Sequence, residues 1–161
     1  MFKNKIIKTV LILFGIGLLI AGGVIFYMFN MPHRDVQSLN SDYQLSATAI
    51  VAEYLENPDG ANEKYLDAEG ESKILEITGK IASITTDFKD QKVILLKGDY
   101  AKAGVTCTFT EITNNSILHL KEGEEISVKG VIRSGATFDE DLEMYENVIL
   151  EKCSLLNKNQ S

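Results

Sequence analysis

Residues 74–86 read ILEITGKIASITT, and this stretch indicates the fold class. Apolar and polar side chains alternate along it, which is typical of a strand with one buried face. The face expected to be buried carries Leu75, Ile77, Gly79 and Ile81. Because a glycine inside a strand marks a bend or a close backbone approach, we predict one long strand over Ile74–Thr86 that bends near Gly79.

Four further strands are predicted downstream, because short apolar stretches alternate there with turn-forming residues. They cover residues 92–97, 105–110, 125–133 and 147–156. A connector at residues 113–120 separates the third strand from the fourth, and an acidic loop at 134–145 precedes the fifth. A bent first strand can join two sheet layers, so the pattern favours a mainly β domain, a closed five-stranded Greek-key barrel over residues 73–156.

Two short helices are predicted before the barrel, over residues 46–66. Ser46 is a suitable N-cap, and apolar residues recur at helical spacing over Ala47–Glu56, including Tyr54 and Leu55. Asn57-Pro58 then begins a second helix, since proline suits the first helical position. Residues 67–72 are a polar loop, and residues 32–45 lack periodicity and are expected to form a stalk.

The N-terminal region contains no Asp, Glu, Lys, Arg or His from residue 9 to residue 32. Roughly 20 apolar residues cross a bilayer as a helix. We therefore predict a transmembrane helix at residues 9–31, with residues 1–8 in the cytoplasm and residues 157–161 as a free tail. Three lysines precede the helix and only Arg34 closely follows it, so the domain is expected outside, in the periplasm or on the cell surface. The alternative is a cleaved signal peptide, because Ala21-Gly22-Gly23 loosely fits a cleavage site.

The chain is strongly acidic from Arg34 onward, and this disfavours negatively charged binding partners. From Arg34 onward, 13 basic residues stand against 23 acidic residues, a net charge of −10. Such a surface is repelled by phosphate backbones, so nucleic acid is not an expected partner.

The sequence displays no arrangement typical of an active site. His33 and His119 have no evident nucleophile beside them, and two distant cysteines with two distant histidines do not give zinc spacing. The acidic cluster at residues 139–143 lacks the calcium-loop pattern and is expected to be solvated. We predict no catalytic residue, no metal and no cofactor. Cys107 and Cys153 permit either a disulfide or two buried thiols.

Several stretches in order resemble the tRNA_anti-like family, which has the OB fold. They are ANEKY at 61–65, ILEITGKI at 74–81, VTCTF at 105–109, KEGEEISVKG at 121–130 and VILEKCSL at 148–155. The resemblance covers roughly residues 46–156 and implies an OB-like barrel, from which the loops at 67–72 and 134–145 depart. It also implies that the third and fifth strands are neighbours, which would bring Cys107 and Cys153 within reach of a disulfide.

The resemblance gives the candidate ligand-binding surface, because OB barrels present their second and third strands and flanking loops to ligands. The residues on that surface would be Lys92, Ile94, Thr106 and Thr108, with Tyr100 and Phe138 from loops. We expect a non-enzymatic, membrane-tethered binding module whose partner is an envelope protein, peptide or glycan. The alternative is a domain that binds single-stranded nucleic acid. An envelope hydrolase would need a site that the sequence does not display.

Overall fold

The computed structural model describes residues 2–29, 35–68 and 70–156, and within the first range the side chains of residue 7 and residues 13–27. The chain forms two compact units, Met1–Arg34 and Asp35–Ser161. In the first unit, α1 spans Phe2–Phe29. Among the described residues, no helix has the length and apolar character needed to cross a membrane. The transmembrane helix at 9–31 therefore stays a prediction. Residues 30–34, which include the end of that helix and the start of the stalk, and the tail at 157–161 lie outside the described residues.

The second unit contains two helices, eight strands and a short 3₁₀ helix in its described part. In chain order these are β1 (Tyr43–Ser46), α2 (Ala47–Glu56), α3 (Pro58–Tyr65), β2 (Ile74–Thr86), β3 (Lys92–Leu96), β4 (Val105–Phe109), the 3₁₀ helix (Asn114–Ile117), β5 (Glu125–Ser134), β6 (Thr137–Asp139), β7 (Met144–Glu146) and β8 (Val148–Leu156).

Five of these strands close into a barrel in the order β2-β3-β4-β8-β5, with β5 returning to β2. The pairs are antiparallel except β4 with β8, which run parallel. This arrangement confirms the predicted mainly β, closed five-stranded barrel.

The long strand β2 closes the barrel because its two halves pair with different neighbours. Residues 74–80 pair with β5, whereas residues 81–86 pair with β3, with a register shift between Ile81 and Ser83. Gly79 lies at this change. A Cβ there would lie 2.9 Å from the Cβ of Ala47 and 3.2 Å from the Cβ of Leu96. The glycine expected at a bend is therefore required by close packing of α2 on the barrel.

The core fills the barrel and continues under α2 and α3. Alternate residues of β2, β4 and β5 supply much of it, as the sequence pattern predicted. The largest fully buried side chains are Tyr54, Tyr65, Phe109, Ile50, Ile74, Leu75, Ile77, Ile81, Ile94, Leu96, Ile132 and Leu150.

The predicted stalk, residues 32–45, is partly a strand. Its last residues form β1, which pairs in parallel with β2 from Tyr43 opposite Leu75 to Ser46 opposite Thr78. Val36 is buried as well. A strand of 4 residues is too short to show a sequence period. Only its pairing with β2 makes this segment a strand.

The predicted acidic loop at 134–145 contains a hairpin. β6 and β7 pair antiparallel as a separate two-stranded sheet, with Phe138 opposite Tyr145. The Asp139 carboxylate accepts hydrogen bonds from the backbone N–H groups of Asp141 and Leu142, each at 2.9 Å. This carboxylate therefore shapes the turn of the hairpin.

Candidate functional site

Strands β3, β4 and β8 form a wall of the barrel whose outer side is partly exposed. Val93 lies opposite Thr108 and Leu95 opposite Thr106, and Thr106 pairs on its other side with Ile149. We call these five residues the outward face. Thr106 and Thr108, two of the predicted ligand-binding residues, lie on it and are partly exposed. The face offers methyl groups for apolar contact and hydroxyl groups for hydrogen bonds.

Of the other two predicted strand residues, Ile94 is not on the outward face, and its prediction was wrong, whereas Lys92 is partly exposed and stays a prediction. Ile94 is fully buried and lies opposite Cys107 in the core. The Lys92 ammonium donates to the Thr86 hydroxyl at 2.9 Å. Residues 93–96 are all apolar. Alternation therefore could not show which of them face inward, and the pairing with β4 decides it.

The two predicted loop residues, Tyr100 and Phe138, lie on different segments. Tyr100 is fully exposed in the loop between β3 and β4. Phe138 lies on β6, is 45% exposed, and its ring centre is 4.8 Å from that of Tyr145. Phe138 also lines a cleft between the hairpin and the two helices.

This cleft, which we call the Tyr54 cleft, has a volume of about 390 Å³. Its helical side is formed by Tyr54, Leu55 and Pro58. The opposite side includes Phe138 and Tyr145 from the hairpin. The remaining lining residues are polar or charged: Lys102, Thr137 and Glu140. The Lys102 ammonium lies 5.2 Å from the centre of the Tyr145 ring.

Tyr54 is the most unusual residue of the cleft. Its side chain is 1% exposed, and its hydroxyl has no hydrogen-bond partner among the described residues. Burial raises the pKa of Tyr54 to about 12, so the hydroxyl is neutral and able to donate. The ring packs directly on the backbone of Gly135, where no Cβ would fit. Helical spacing places Tyr54 on the apolar side of a helix and gives no sign of an unsatisfied hydroxyl.

The two helices that carry one side of the cleft are joined by polar contacts. The Glu53 carboxylate accepts from the Lys64 ammonium and from the Tyr65 hydroxyl, both at 2.7 Å. The hydrogen bond from Lys64 is the main cause that lowers the pKa of Glu53, and burial opposes it. The Tyr65 hydroxyl is therefore hydrogen-bonded, whereas the Tyr54 hydroxyl has no hydrogen-bond partner among the described residues.

A second groove, of about 290 Å³, lies at one end of the outward face. Thr108 belongs to both surfaces. Two lysines, Lys89 and Lys152, line the groove together with Glu151. Lys152 has a φ of 54°, in the left-handed region, at the point where the register between β4 and β8 shifts. The groove therefore combines positive charge with the threonine hydroxyl of the neighbouring face.

Cys107 and Cys153 are neighbouring buried residues and are free thiols, so the structure has the second of the two predicted alternatives, two buried thiols without a disulfide. Burial and the adjacent Cys107 thiol raise the pKa of Cys153 well above its usual range. A thiol that stays protonated is a poor nucleophile, so Cys153 behaves as a small apolar core residue. Cys107 is buried in the same core.

Comparison with known proteins supports the topology described above. The sequence profile of the tRNA_anti-like family matches residues 1–141. This chain belongs to the tRNA_anti-like family. No curated protein sequence matches this tRNA_anti-like chain.

Solved structures with a similar fold have low sequence identity to this tRNA_anti-like chain. A lipoprotein from Klebsiella pneumoniae, provisionally described as nucleic acid-binding, has 16% identity and a TM-score of 0.52, over 79% of this chain and 100% of that one. The Stn1–Ten1 complex of S. pombe has 18% identity and a TM-score of 0.35, over 53% and 59% of the two chains. The OBody NL8, bound to hen egg-white lysozyme, has 16% identity and a TM-score of 0.36, over 55% and 99%. The first of these likenesses supports the fold.

Proposed function

We propose that this chain is a non-enzymatic OB-fold binding domain that its N-terminal helix holds at a membrane, with the barrel outside the cytoplasm. The outward face is the observation that carries the binding role. OB barrels present this wall and its flanking loops to ligands, and here the side chains of the outward face are at least partly exposed. The proposed partner is a protein, peptide or glycan of the cell envelope, because the net charge of −10 from Arg34 onward disfavours polyanions.

The tether is supported by the uncharged stretch at residues 9–32 and by the three lysines before it. Membranes carrying the full chain should keep it through alkaline carbonate extraction. Because Cys107 and Cys153 are fully buried, an introduced cysteine can report topology with a membrane-impermeant maleimide. We expect Asp59→Cys to be labelled in right-side-out vesicles and Asn4→Cys in inside-out vesicles. Release by carbonate or the reverse labelling would contradict the tether.

The binding surface can be tested by photo-crosslinking in cells. A benzoylphenylalanine replacing Thr106, on the outward face, should give a discrete adduct of higher mass. The same residue replacing Glu63, exposed on α3, is the control and should not give that adduct. Sensitivity of the adduct to protease, glycosidase or nuclease identifies the partner class. Equal adducts at both positions would exclude the outward face as the binding surface.

A second candidate, binding of single-stranded nucleic acid, is favoured by the groove that Lys89 and Lys152 line at the end of the outward face. The description of the Klebsiella lipoprotein points the same way. Fluorescence anisotropy with labelled dT20 and rU20 at about 20 and 200 mM salt tests it, since phosphate contacts are salt-dependent. We expect no saturable binding at micromolar concentration. Micromolar, salt-sensitive binding that Lys89→Gln and Lys152→Asn abolish would replace the primary proposal. Asparagine tolerates the left-handed backbone at residue 152.

A further inference from the structure

The Tyr54 cleft shares no lining residue with the outward face and has the size of a small-molecule site. Its volume of about 390 Å³ lies within the range of roughly 300–1,000 Å³ that small-molecule sites occupy. The lining combines apolar side chains (Leu55, Pro58 and Phe138) with a few polar groups. Small-ligand sites likewise combine apolar side chains with polar groups that fix the orientation of the ligand.

The unpartnered hydroxyl is the second, independent observation. Buried polar groups almost always have a hydrogen-bond partner, and leaving one without a partner is unfavourable. The Tyr54 hydroxyl has none among the described residues, although the side chain is 1% exposed and lines the cleft. A ligand atom that accepts a hydrogen bond would satisfy it.

The charged and polar groups indicate which ligand chemistry fits. Tyr54 and Thr137 have hydroxyl groups that can donate, and Lys102 supplies an ammonium group. Glu140 is the one carboxylate among the lining residues that the structure describes. Because donors outnumber this single obligate acceptor, the complementary group on a ligand is a hydrogen-bond acceptor. A carboxylate fits if it contacts the Lys102 ammonium, since a charged acceptor makes the stronger hydrogen bond.

The hairpin provides a route for entry. β6 and β7 pair with each other as a separate sheet, and the described residues give them no ladder pairing with the barrel. The outer part of the hairpin, from Phe138 onward, can therefore move without breaking barrel hydrogen bonds, while its root at Gly135 stays packed on the Tyr54 ring. That movement would open the cleft next to the Tyr54 hydroxyl.

We propose that the Tyr54 cleft binds the carboxylate of a small apolar acid, with the Tyr54 hydroxyl and the Lys102 ammonium as donors and the rings of Phe138 and Tyr145 against its apolar part. Two sources share this chemistry: a free aryl or branched acid, and the C-terminal residue of a peptide.

Ligand-observed NMR on the full chain in detergent micelles tests the proposal. The probes are 3-phenylpropionate, the peptide Ala-Ala-Phe with a free carboxylate, and 3-phenylpropylamine, which replaces the negative charge by a positive one. We expect saturable binding of at least one acid and weaker binding of the amine. Which of the two acids binds more tightly distinguishes the two sources.

Two matched variants assign the binding to the cleft. Tyr54→Phe removes only the unpartnered hydroxyl, and we expect about tenfold weaker binding of the acid because a hydrogen bond to a charged acceptor is lost. Tyr65→Phe removes a hydroxyl that already bonds Glu53 outside the cleft, and binding should be unchanged. Lys102→Gln should weaken binding of the acids and not of the amine. Near-UV circular dichroism checks that each variant is folded.

Three results would overturn the proposal: equal affinity of the wild type and Tyr54→Phe, tighter binding of the amine than of the acids, or no saturable binding of either acid up to about 10 mM, a concentration beyond the roughly millimolar Kd of weak ligands. Because these variants leave Thr106 and the other residues of the outward face intact, the crosslinking test of the proposed function can succeed or fail separately.

Discussion

Replacing Gly135 by alanine should destabilise the barrel strongly. The added Cβ would overlap the Cδ1, Cε1 and Cζ atoms of the Tyr54 ring. The ring is fully buried and also packs against the Tyr65 ring, with ring centres 6.1 Å apart. Movement of the ring or of the backbone between β5 and β6 would therefore disrupt buried packing.

The size of the effect follows from this overlap. Overpacking a well-filled core costs typically 1–3 kcal/mol, and three overlapping ring atoms place Gly135→Ala near the upper end, at about 3 kcal/mol. For a domain of this size, the midpoint of thermal unfolding should fall by about 10 °C.

Gly98→Ala is the matched control, because a Cβ at Gly98 would meet only the Cβ of Ala101, at 4.0 Å. Unfolding of both variants can be followed by tyrosine fluorescence, since the chain has six tyrosines and no tryptophan. In a protein that already carries Tyr54→Ala, adding Gly135→Ala should cause little further loss of stability. If the free energies of unfolding of Gly135→Ala and Gly98→Ala differ by less than about 0.5 kcal/mol, the packing of the Tyr54 ring on the Gly135 backbone is refuted.

Three further predictions concern buried and bridging polar groups. Tyr65→Phe should lower the free energy of unfolding by about 1.5–3 kcal/mol, because the Glu53 carboxylate loses a donor; chemical denaturation measures this, and an unchanged midpoint would argue against the hydrogen bond. The pKa of Glu53 is lowered in the folded state, chiefly by Lys64, so its contribution is present above the unfolded pKa of about 4.5 and is lost as pH falls through the folded pKa. Stability should therefore decrease more steeply below pH of about 4.5 in the wild type than in Glu53→Gln, and parallel pH profiles would contradict the linkage. Cys107 and Cys153 should resist a thiol reagent at pH of about 8 in the folded protein and react after unfolding, because both are buried and the pKa of Cys153 is raised; fast labelling of the native chain would disprove this.

Local sequence signals determined most of the elements. The alternation over residues 74–86 gave both ends of β2, and helical spacing gave α2. The caps were visible as well: the Ser46 hydroxyl accepts from the N–H of Ala49, and the Asn57 side chain accepts from the N–H of Gly60. Such signals can be read without the tertiary structure because they act between residues a few positions apart.

The direction in which the candidate strand residues face could be predicted for β4 but not for β3. Thr106 and Thr108 were placed on the correct face, because apolar and polar residues alternate along β4. Ile94 was placed on the wrong face, since residues 93–96 are apolar at every position and two opposite arrangements of β3 fit the sequence equally well. Pairing with β4 removes that ambiguity.

The five-stranded barrel, its two preceding helices and the family resemblance could all be predicted from the sequence, because each depends on periodicity or on short ordered motifs. Three features became visible only in the folded chain: the strand at residues 43–46, the hairpin at residues 137–146 and the buried Tyr54 hydroxyl without a described partner. These three features arise from contacts between segments far apart in the chain. The pairing of β1 with β2 and the packing of Tyr54 on Gly135 exist only once the barrel has brought those segments together.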